Sequence, residues 1–345
     1  MSAAEMAGVR RILFIQTAFL GDVVFSTALL RGCRDLFPNG EITLLASPRG
    51  GGILKGDPAV KEIITFDKKG RDRGLGGLFR IVRSLRKRRF DLVVSPHRSF
   101  RSAVVGRLSG AGLRLGFRSA ATWWAWNLGV PESPAEQRPY RREMLLLESV
   151  AGRRLPNRPA LRTSGRERAE AEEIFAAGGL SSERRVVAFA TGTVWPTKKW
   201  PVETYLELGR EIVNSGLAQV VVIGGRDEVA GTAAFSGEPG MVNLTGKTTL
   251  RQLPAILERC SVLVAGDTGP LHAAMALGVS VVALFGPTAE SQFEFGPRDK
   301  CLVAPLACRP CRPHGSVHCP EEDWRCMPDI PVQSVREAVT ELLAL

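Results

Sequence analysis

The chain has 345 residues, 44% of them hydrophobic, with 36 Gly and 22 Pro, enough for two domains with full cores rather than one. No apolar run approaches the roughly 20 residues of a membrane span, because ILFIQTAFLGDVVF near the N terminus is broken by Gln16, Gly21 and Asp22. The net charge of +11 lies wholly in the first half: residues 1–155 carry 27 Lys and Arg against 13 Asp and Glu, and the remainder 19 against 22.

No export signal is read at the N terminus, so a cytoplasmic location is expected. The seven cysteines then read as thiols or metal ligands rather than disulfides.

RRILFIQ (10–16) reads as a first strand, TAFLGD (17–22) as its loop, and Val23–Phe37 as a helix ending before Pro38 and Gly40. Glu41–Ala46 begins a second strand. The first loop lacks the GxGxxG of a dinucleotide site, which weakens a nicotinamide oxidoreductase reading. It offers one carboxylate instead, Asp22, at the start of the helix, where its plain role is to cap. Further strands are expected at Glu62–Phe66, Leu92–Ser95 and Leu113–Gly116. His97, Arg98 and Arg101 follow one of them, and fit either a sugar or phosphate contact or ordinary surface polarity. Much of the basic excess lies in KKGRDRGLGGLFRIVRSLRKRR (68–89), a basic loop and helix. It suits a solvated face, an anionic membrane surface or a phosphorylated lipid, and no nucleic-acid motif accompanies it. A non-catalytic basic binder would account for this charge. WWAWN (123–127) fits sugar stacking, lipid contact or core filling equally.

GRRLPNRPALRTSG (152–165) reads as a linker, dividing a domain over 1–155 from a second over 156–330, with a final helix over 331–345. The second half restarts the α/β alternation, with strands at Val186–Ala190, Gln219–Ile223, Met241–Leu244 and Ser261–Ala265 and a further strand at Val279–Phe285. Polar residues gather at the strands' carboxyl ends: Thr191, Thr193 and Lys198; Asp227 and Glu228; Thr245, Gly246 and Lys247; Asp267, Thr268, Gly269 and His272. In an open parallel sheet these ends share one edge, and a nucleotide diphosphate needs such donors and acceptors. The unit from Val262 to Pro287 is the clearest. Pro270 begins its helix, so the N–H groups from Thr268 to Leu271 and the helix dipole favour an anion at the turn. GKTT is not a P-loop, since the GxxxxGK[ST] spacing is missing.

Cys308, Cys311, Cys319 and Cys326 have C-x2-C-x7-C-x6-C spacing, with His314 and His318 nearby. Four soft ligands suit a structural zinc, and unliganded thiols are the competing reading.

DTGPLHAAMALGVSVVALFGPT (267–288) resembles the donor-site signature of the heptosyltransferase family. ILFIQTAFLGDVVFSTALLRGCRDLFP is similar to that family's opening strand, loop and helix, and TGTVWPTKKWP to its middle Thr/Lys loop. The resemblance implies an α/β GT-B fold of two Rossmann-like domains with parallel sheets facing a cleft, the first binding acceptor and the second the nucleotide sugar. It implies an inverting glycosyltransferase that moves heptose from ADP-heptose to the lipopolysaccharide inner core, a lipid A-type anionic acceptor, with no cofactor required. Asp22 would be the general base and Lys198 the diphosphate contact, with Asp267, Thr268, Gly269 and His272 lining the donor site. A ribose contact would come from Asp227 or Glu228. Peripheral association with the inner membrane would follow from such an acceptor, and the final helix would return toward the first domain. Another nucleotide sugar remains the alternative donor.

Overall fold

The computed structural model describes the backbone of residues 1–345 and the side chains of all but residue 3. The chain forms two compact units, Met1–Leu161 and Arg162–Leu345.

The first unit is built on β1 (Arg11–Gln16), β2 (Glu41–Ala46), β3 (Glu62–Thr65), β4 (Leu92–Ser95), β5 (Leu113–Arg118) and β6 (Leu128–Pro131), in the order β3-β2-β1-β4-β5-β6. Every pairing is parallel. β1, β2 and β4 are buried almost throughout, as strands covered by helices on both faces must be.

The second unit uses β7 (Val186–Ala190), β8 (Gln219–Ile223), β9 (Met241–Asn243), β10 (Val262–Gly266), β11 (Ser280–Phe285) and β12 (Asp299–Val303), again all parallel, in the order β12-β11-β10-β7-β8-β9. Counted from the first strand of each unit, both sheets have the order 3-2-1-4-5-6 when the second is read from its own switch point outward on the matching side. The halves therefore repeat in topology although no repeat is visible in their residues. In each, the first and fourth strands lie side by side while their connections leave in opposite directions, the arrangement at which doubly wound sheets bind ligands.

Several local departures from the expected elements matter. The first helix of that fold runs from Leu20 to Leu36, beginning one turn earlier than the sequence suggested, because Asp22 at its third position accepts the Phe19 N–H at 3.1 Å. The cap is thus made from inside the helix. The strands β6 and β12, at the edges of their sheets, lack the long apolar run that marks a buried strand. WWAWN divides by role: Trp126 is buried in the first unit's core, lying so close to Gly106 and Gly116 that a Cβ at either would clash with its ring, whereas Trp123 is 64% exposed. Trp124 packs edge-on against Phe100. The final helix, Val332–Ala344, buries Val335, Ala338, Val339, Leu342 and Leu343 in the second unit's core.

Candidate active site

The second unit's switch point lies between β7 and β10, whose register sets Ala190 beside Ala265 so that the two following loops leave the sheet together. From the first loop, Lys198 Nζ donates to Asp267 Oδ2 at 2.6 Å and to the Asp267 carbonyl oxygen at 3.1 Å. Asp267 Oδ1 meets His272 Nε2 at 3.1 Å, and Thr288, just beyond β11, donates its hydroxyl to Oδ2 at 2.9 Å. Burial works against the charge on Asp267. The hydrogen bond and charge of His272, followed by those of Lys198, more than offset it and hold the carboxyl well below the usual carboxylate range. His272 is itself buried and stacks on Phe293 with ring centroids 5.0 Å apart.

Next to this cluster the helix Gly269–Leu277 begins, with Thr268 as its N-cap and no side-chain cap on its first N–H groups. Pro270 has no N–H, which leaves those of Gly269 and Leu271 as the first-turn donors. The Thr268 hydroxyl is buried with no hydrogen-bond partner among the described residues. Two backbone donors and one hydroxyl at a helix start, beside an ammonium, form an anion-binding arrangement. Lys198 can take part because an ammonium has three N–H donors, of which Asp267 occupies two.

The remaining second-unit candidates separate. Glu228 accepts the Gly225 N–H at 2.9 Å, and its carboxylate lies so close to Gly192, in the loop after β7, that a Cβ there would overlap it. Asp227 lies instead against Gly225 in its own turn. Of the two carboxylates, Glu228 is therefore the one that reaches across loops. The Thr245 hydroxyl is buried without a hydrogen-bond partner among the described residues, and Gly246 holds a φ of +73° that a side chain would strain. Thr191 is buried at the end of β7. Thr193 has a local role: its hydroxyl accepts the Trp195 N–H at 3.2 Å. Lys247 is turned onto the Asn243 carbonyl at 2.8 Å.

The first unit's switch point, between β1 and β4, brings Thr17 to His97, hydroxyl to Nδ1, at 2.9 Å, with the Ser102 hydroxyl 3.0 Å from the same nitrogen. Burial, followed by the charges of Lys68 and Arg98, pushes His97 down to about 4, so it is neutral at physiological pH. Lys68 is brought down to about 8 by burial and by Arg101. Arg98 pairs with Glu132 at 2.8 Å. Glu143 is buried: Ser26 donates to it at 2.7 Å and Gln16 at 3.4 Å. Burial chiefly, with the neighbouring charge of Asp22, pushes its carboxyl up to about 8. The half-buried guanidinium of Arg142 lies nearby, brought down chiefly by burial and by Arg98, against the carboxyls of Glu143, Glu132 and Asp22. Sequence reading gave no role to Thr17, Arg142, Glu143 and Thr288: Arg142 and Glu143 lie in no motif, and Thr17 and Thr288, although inside the first loop and the 267–288 stretch, meet their partners only through tertiary packing.

Cys308, Cys311, Cys319 and Cys326 all line one small cavity in the second unit, of about 40 Å³, and none is in a disulfide. Among the described residues no group of three or more His, Cys, Asp or Glu side chains already stands at metal-binding spacing. Burial and then the other three thiols push the Cys326 thiol up to about 11.

The family model of glycosyltransferase family 9 (heptosyltransferase) matches residues 78–324. Lipopolysaccharide heptosyltransferase 2 of Salmonella typhimurium is 29% identical over 81% of this chain and 83% of its own. Among solved structures, E. coli ADP-heptose lps heptosyltransferase II aligns with a TM-score of 0.80 at 26% identity, covering 97% of this chain and 98% of that one. A glycosyltransferase family 9 protein from Veillonella parvula aligns with a TM-score of 0.87 at 22% identity over 97% of both chains. The family match spans the larger part of the sequence and the structural matches span both sheets, so the chain belongs to glycosyltransferase family 9, is a glycosyltransferase and has the GT-B fold.

Proposed function

We propose that the protein transfers heptose from ADP-heptose to the inner core of lipopolysaccharide, with inversion at the anomeric carbon. The observation that carries this reading is the second unit's switch point, where the third N–H of Lys198, the N–H groups of Gly269 and Leu271 and the Thr268 hydroxyl suit a diphosphate. In this reading Glu228, whose carboxylate reaches the loop after β7, rather than Asp227 meets the ribose hydroxyls. The names of the relatives supply the sugar and the acceptor class.

In this mechanism an acceptor hydroxyl attacks the anomeric carbon, the bond from that carbon to the diphosphate breaks, and ADP leaves. Asp22 takes the hydroxyl proton, a contribution of roughly 10²–10⁴-fold for a well-placed base. Lys198 and the helix N–H groups stabilise the charge that grows on the leaving phosphate. Lys68, Arg98 and Arg101 in the first unit suit the anionic groups of a lipid A-type acceptor. The exposed apolar residues of the basic helix Gly74–Arg86 suit peripheral attachment to the inner membrane that carries it.

Incubation of the purified protein with ADP-heptose and Kdo-lipid A acceptors, with and without a first heptose, tests the reading by product mass. Addition of one heptose to either acceptor supports it. Transfer from a different nucleotide sugar, with none from ADP-heptose, overturns the donor assignment.

A further inference from the structure

The cysteine-rich segment between β12 and the final helix is not used by the mechanism above, yet it is built into the donor side of the second unit. The Thr197 hydroxyl donates to the Ser316 carbonyl at 2.9 Å and the Thr197 N–H does so at 3.3 Å, while the Trp324 indole donates to the Thr197 carbonyl at 3.1 Å. Gly315 lies against the side chains of Trp195 and Lys198 so closely that a Cβ would clash with both. On the opposite side, the N–H groups of Cys311 and Arg312 donate to the Pro287 carbonyl at 3.0 and 3.1 Å, and Arg309 donates to the Gly286 carbonyl at 3.0 Å. One irregular segment thus braces the loop that carries Lys198 and the turn that carries Thr288, both of which hold Asp267.

Such a segment has little of its own to hold it in shape. Residues 304–331 contain no helix or strand, and much of the surface from Cys308 to Arg325 is exposed. Irregular segments of this length are uncommon inside compact domains, and a structural metal site contributes folding energy that can hold one in shape. The four cysteines are the groups placed to supply one, since all four line a single cavity while Cys33, Cys260 and Cys301 lie elsewhere. Neither His314 nor His318 lines it.

We propose that Cys308, Cys311, Cys319 and Cys326 bind one thiophilic metal ion of the zinc class in a structural, four-thiolate site that fixes the Lys198 and Thr288 loops. A cavity of about 40 Å³ has room for a single ion. Cys326 is buried against Gly286 and fixes one corner, whereas Cys308 and Cys311 are exposed and close onto the ion by changes of side-chain rotamer. Four thiolates around a divalent ion leave two net negative charges. Arg309 and Arg325 line the same cavity, each already paired with a carboxylate, Glu290 and Asp323, so the site keeps a net negative charge that favours a cation. The site is a brace and takes no part in the transfer chemistry, so it does not depend on the identity of the sugar.

The test measures metal and thiols on the full chain, independently of transfer. Elemental analysis of protein purified without chelator is expected to find about one zinc or iron per chain, and a thiol reagent is expected to find four more reactive cysteines after chelation than before. The Cys308→Ser/Cys311→Ser double variant changes two exposed positions and spares the buried Cys326. It is expected to lose at least tenfold in bound metal and to bind ADP more weakly, while Cys301→Ser keeps its metal. A folded wild-type protein that contains no metal and takes up none from added zinc would overturn the proposal. A double variant that retains one metal per chain would overturn it equally.

Discussion

Lys198 Nζ holds Asp267 through both its carboxylate, at 2.6 Å, and its backbone carbonyl, at 3.1 Å. The two residues are 69 positions apart and follow adjacent strands, so this pair ties together the two loops that diverge at the second unit's switch point. It also sets what Lys198 can do. Its charge is already matched by a buried carboxylate, and on the proposed reading a diphosphate would meet an ammonium whose orientation is fixed in advance rather than a free surface cation. Preorganised donors of this kind stabilise developing charge without the cost of ordering them during reaction.

Removing one partner of this buried pair should destabilise more than removing both. Lys198→Met leaves the Asp267 carboxylate buried with one cationic partner fewer, a loss of about 3 kcal/mol, read as a lowered unfolding midpoint. The Lys198→Met/Asp267→Asn double variant should recover most of that stability, since no uncompensated carboxylate remains, and should still bind ADP at least tenfold more weakly than wild type. Equal and additive losses in the two single variants would show that the pair is not coupled.

On the proposed mechanism, substitution of Asp22 should separate catalysis from structure. Asp22→Asn keeps an oxygen to accept the Phe19 N–H, so its effect on stability should stay within about 0.5–1 kcal/mol, the worth of a charge at a helix start. The turnover number should fall about 10²-fold or more, with ADP affinity unchanged. A variant that transfers heptose at nearly the wild-type rate would remove Asp22 as the base.

The Glu143 carboxyl, pushed up to about 8 by burial, predicts an unusual pH dependence of stability. The unfolded chain releases this proton near its ordinary value of 4.5, whereas the folded protein keeps it until about pH 8. The unfolded state therefore binds fewer protons throughout that window, and this residue's contribution to stability falls as pH rises from about 4.5 to 8 and then levels off. Glu143→Gln cannot ionise and retains an acceptor for Ser26. It should flatten the fall and leave the variant more stable than wild type at pH 8 by up to about 4 kcal/mol, because one proton carries about 1.4 kcal/mol for each pH step across the window. Parallel denaturant titrations at pH 5 and pH 8 measure this directly.

The sequence carried the second unit's polar cluster further than the first unit's, for a physical reason. Asp267, Thr268, Gly269 and His272 lie within six consecutive residues of a strand-turn-helix unit, whose local rules are strong. The order of strands and helices likewise exposed the α/β class. Glu143 carries no such local mark, and Thr17, although it opens the first loop, shows its partner His97 only in the folded chain. Glu143 lies in the helix Pro139–Ala151, 117 residues from its partner Ser26, and only the packing of that helix joins them. The edge strands β6 and β12 escaped notice because half-exposed strands need no continuous apolar run. Sequence similarity between the halves was equally uninformative about their shared strand order, since topology constrains burial pattern far more than residue identity.

The basic helix Gly74–Arg86 gives the last prediction. It buries Gly77, Ile81, Val82 and Leu85 on one face, yet Leu75 is 84% exposed and Phe79 is 66% exposed. Phe79 shares a groove with Arg83, Arg86, Lys87 and Arg89. Large apolar side chains standing beside clustered cations match what an anionic bilayer surface takes up, with insertion from the first and attraction from the second. Each cation near such a surface is worth about 1 kcal/mol, and that attraction is screened by salt. The protein should sediment with vesicles containing anionic lipid and not with neutral ones, and should be released as salt is raised. Leu75→Ser/Phe79→Ser should weaken binding at every salt concentration without changing the salt slope, because it removes only the inserted part. Arg83→Gln/Arg86→Gln should lower the slope itself, and a slope unchanged by that charge removal would place the membrane contact elsewhere on the first unit.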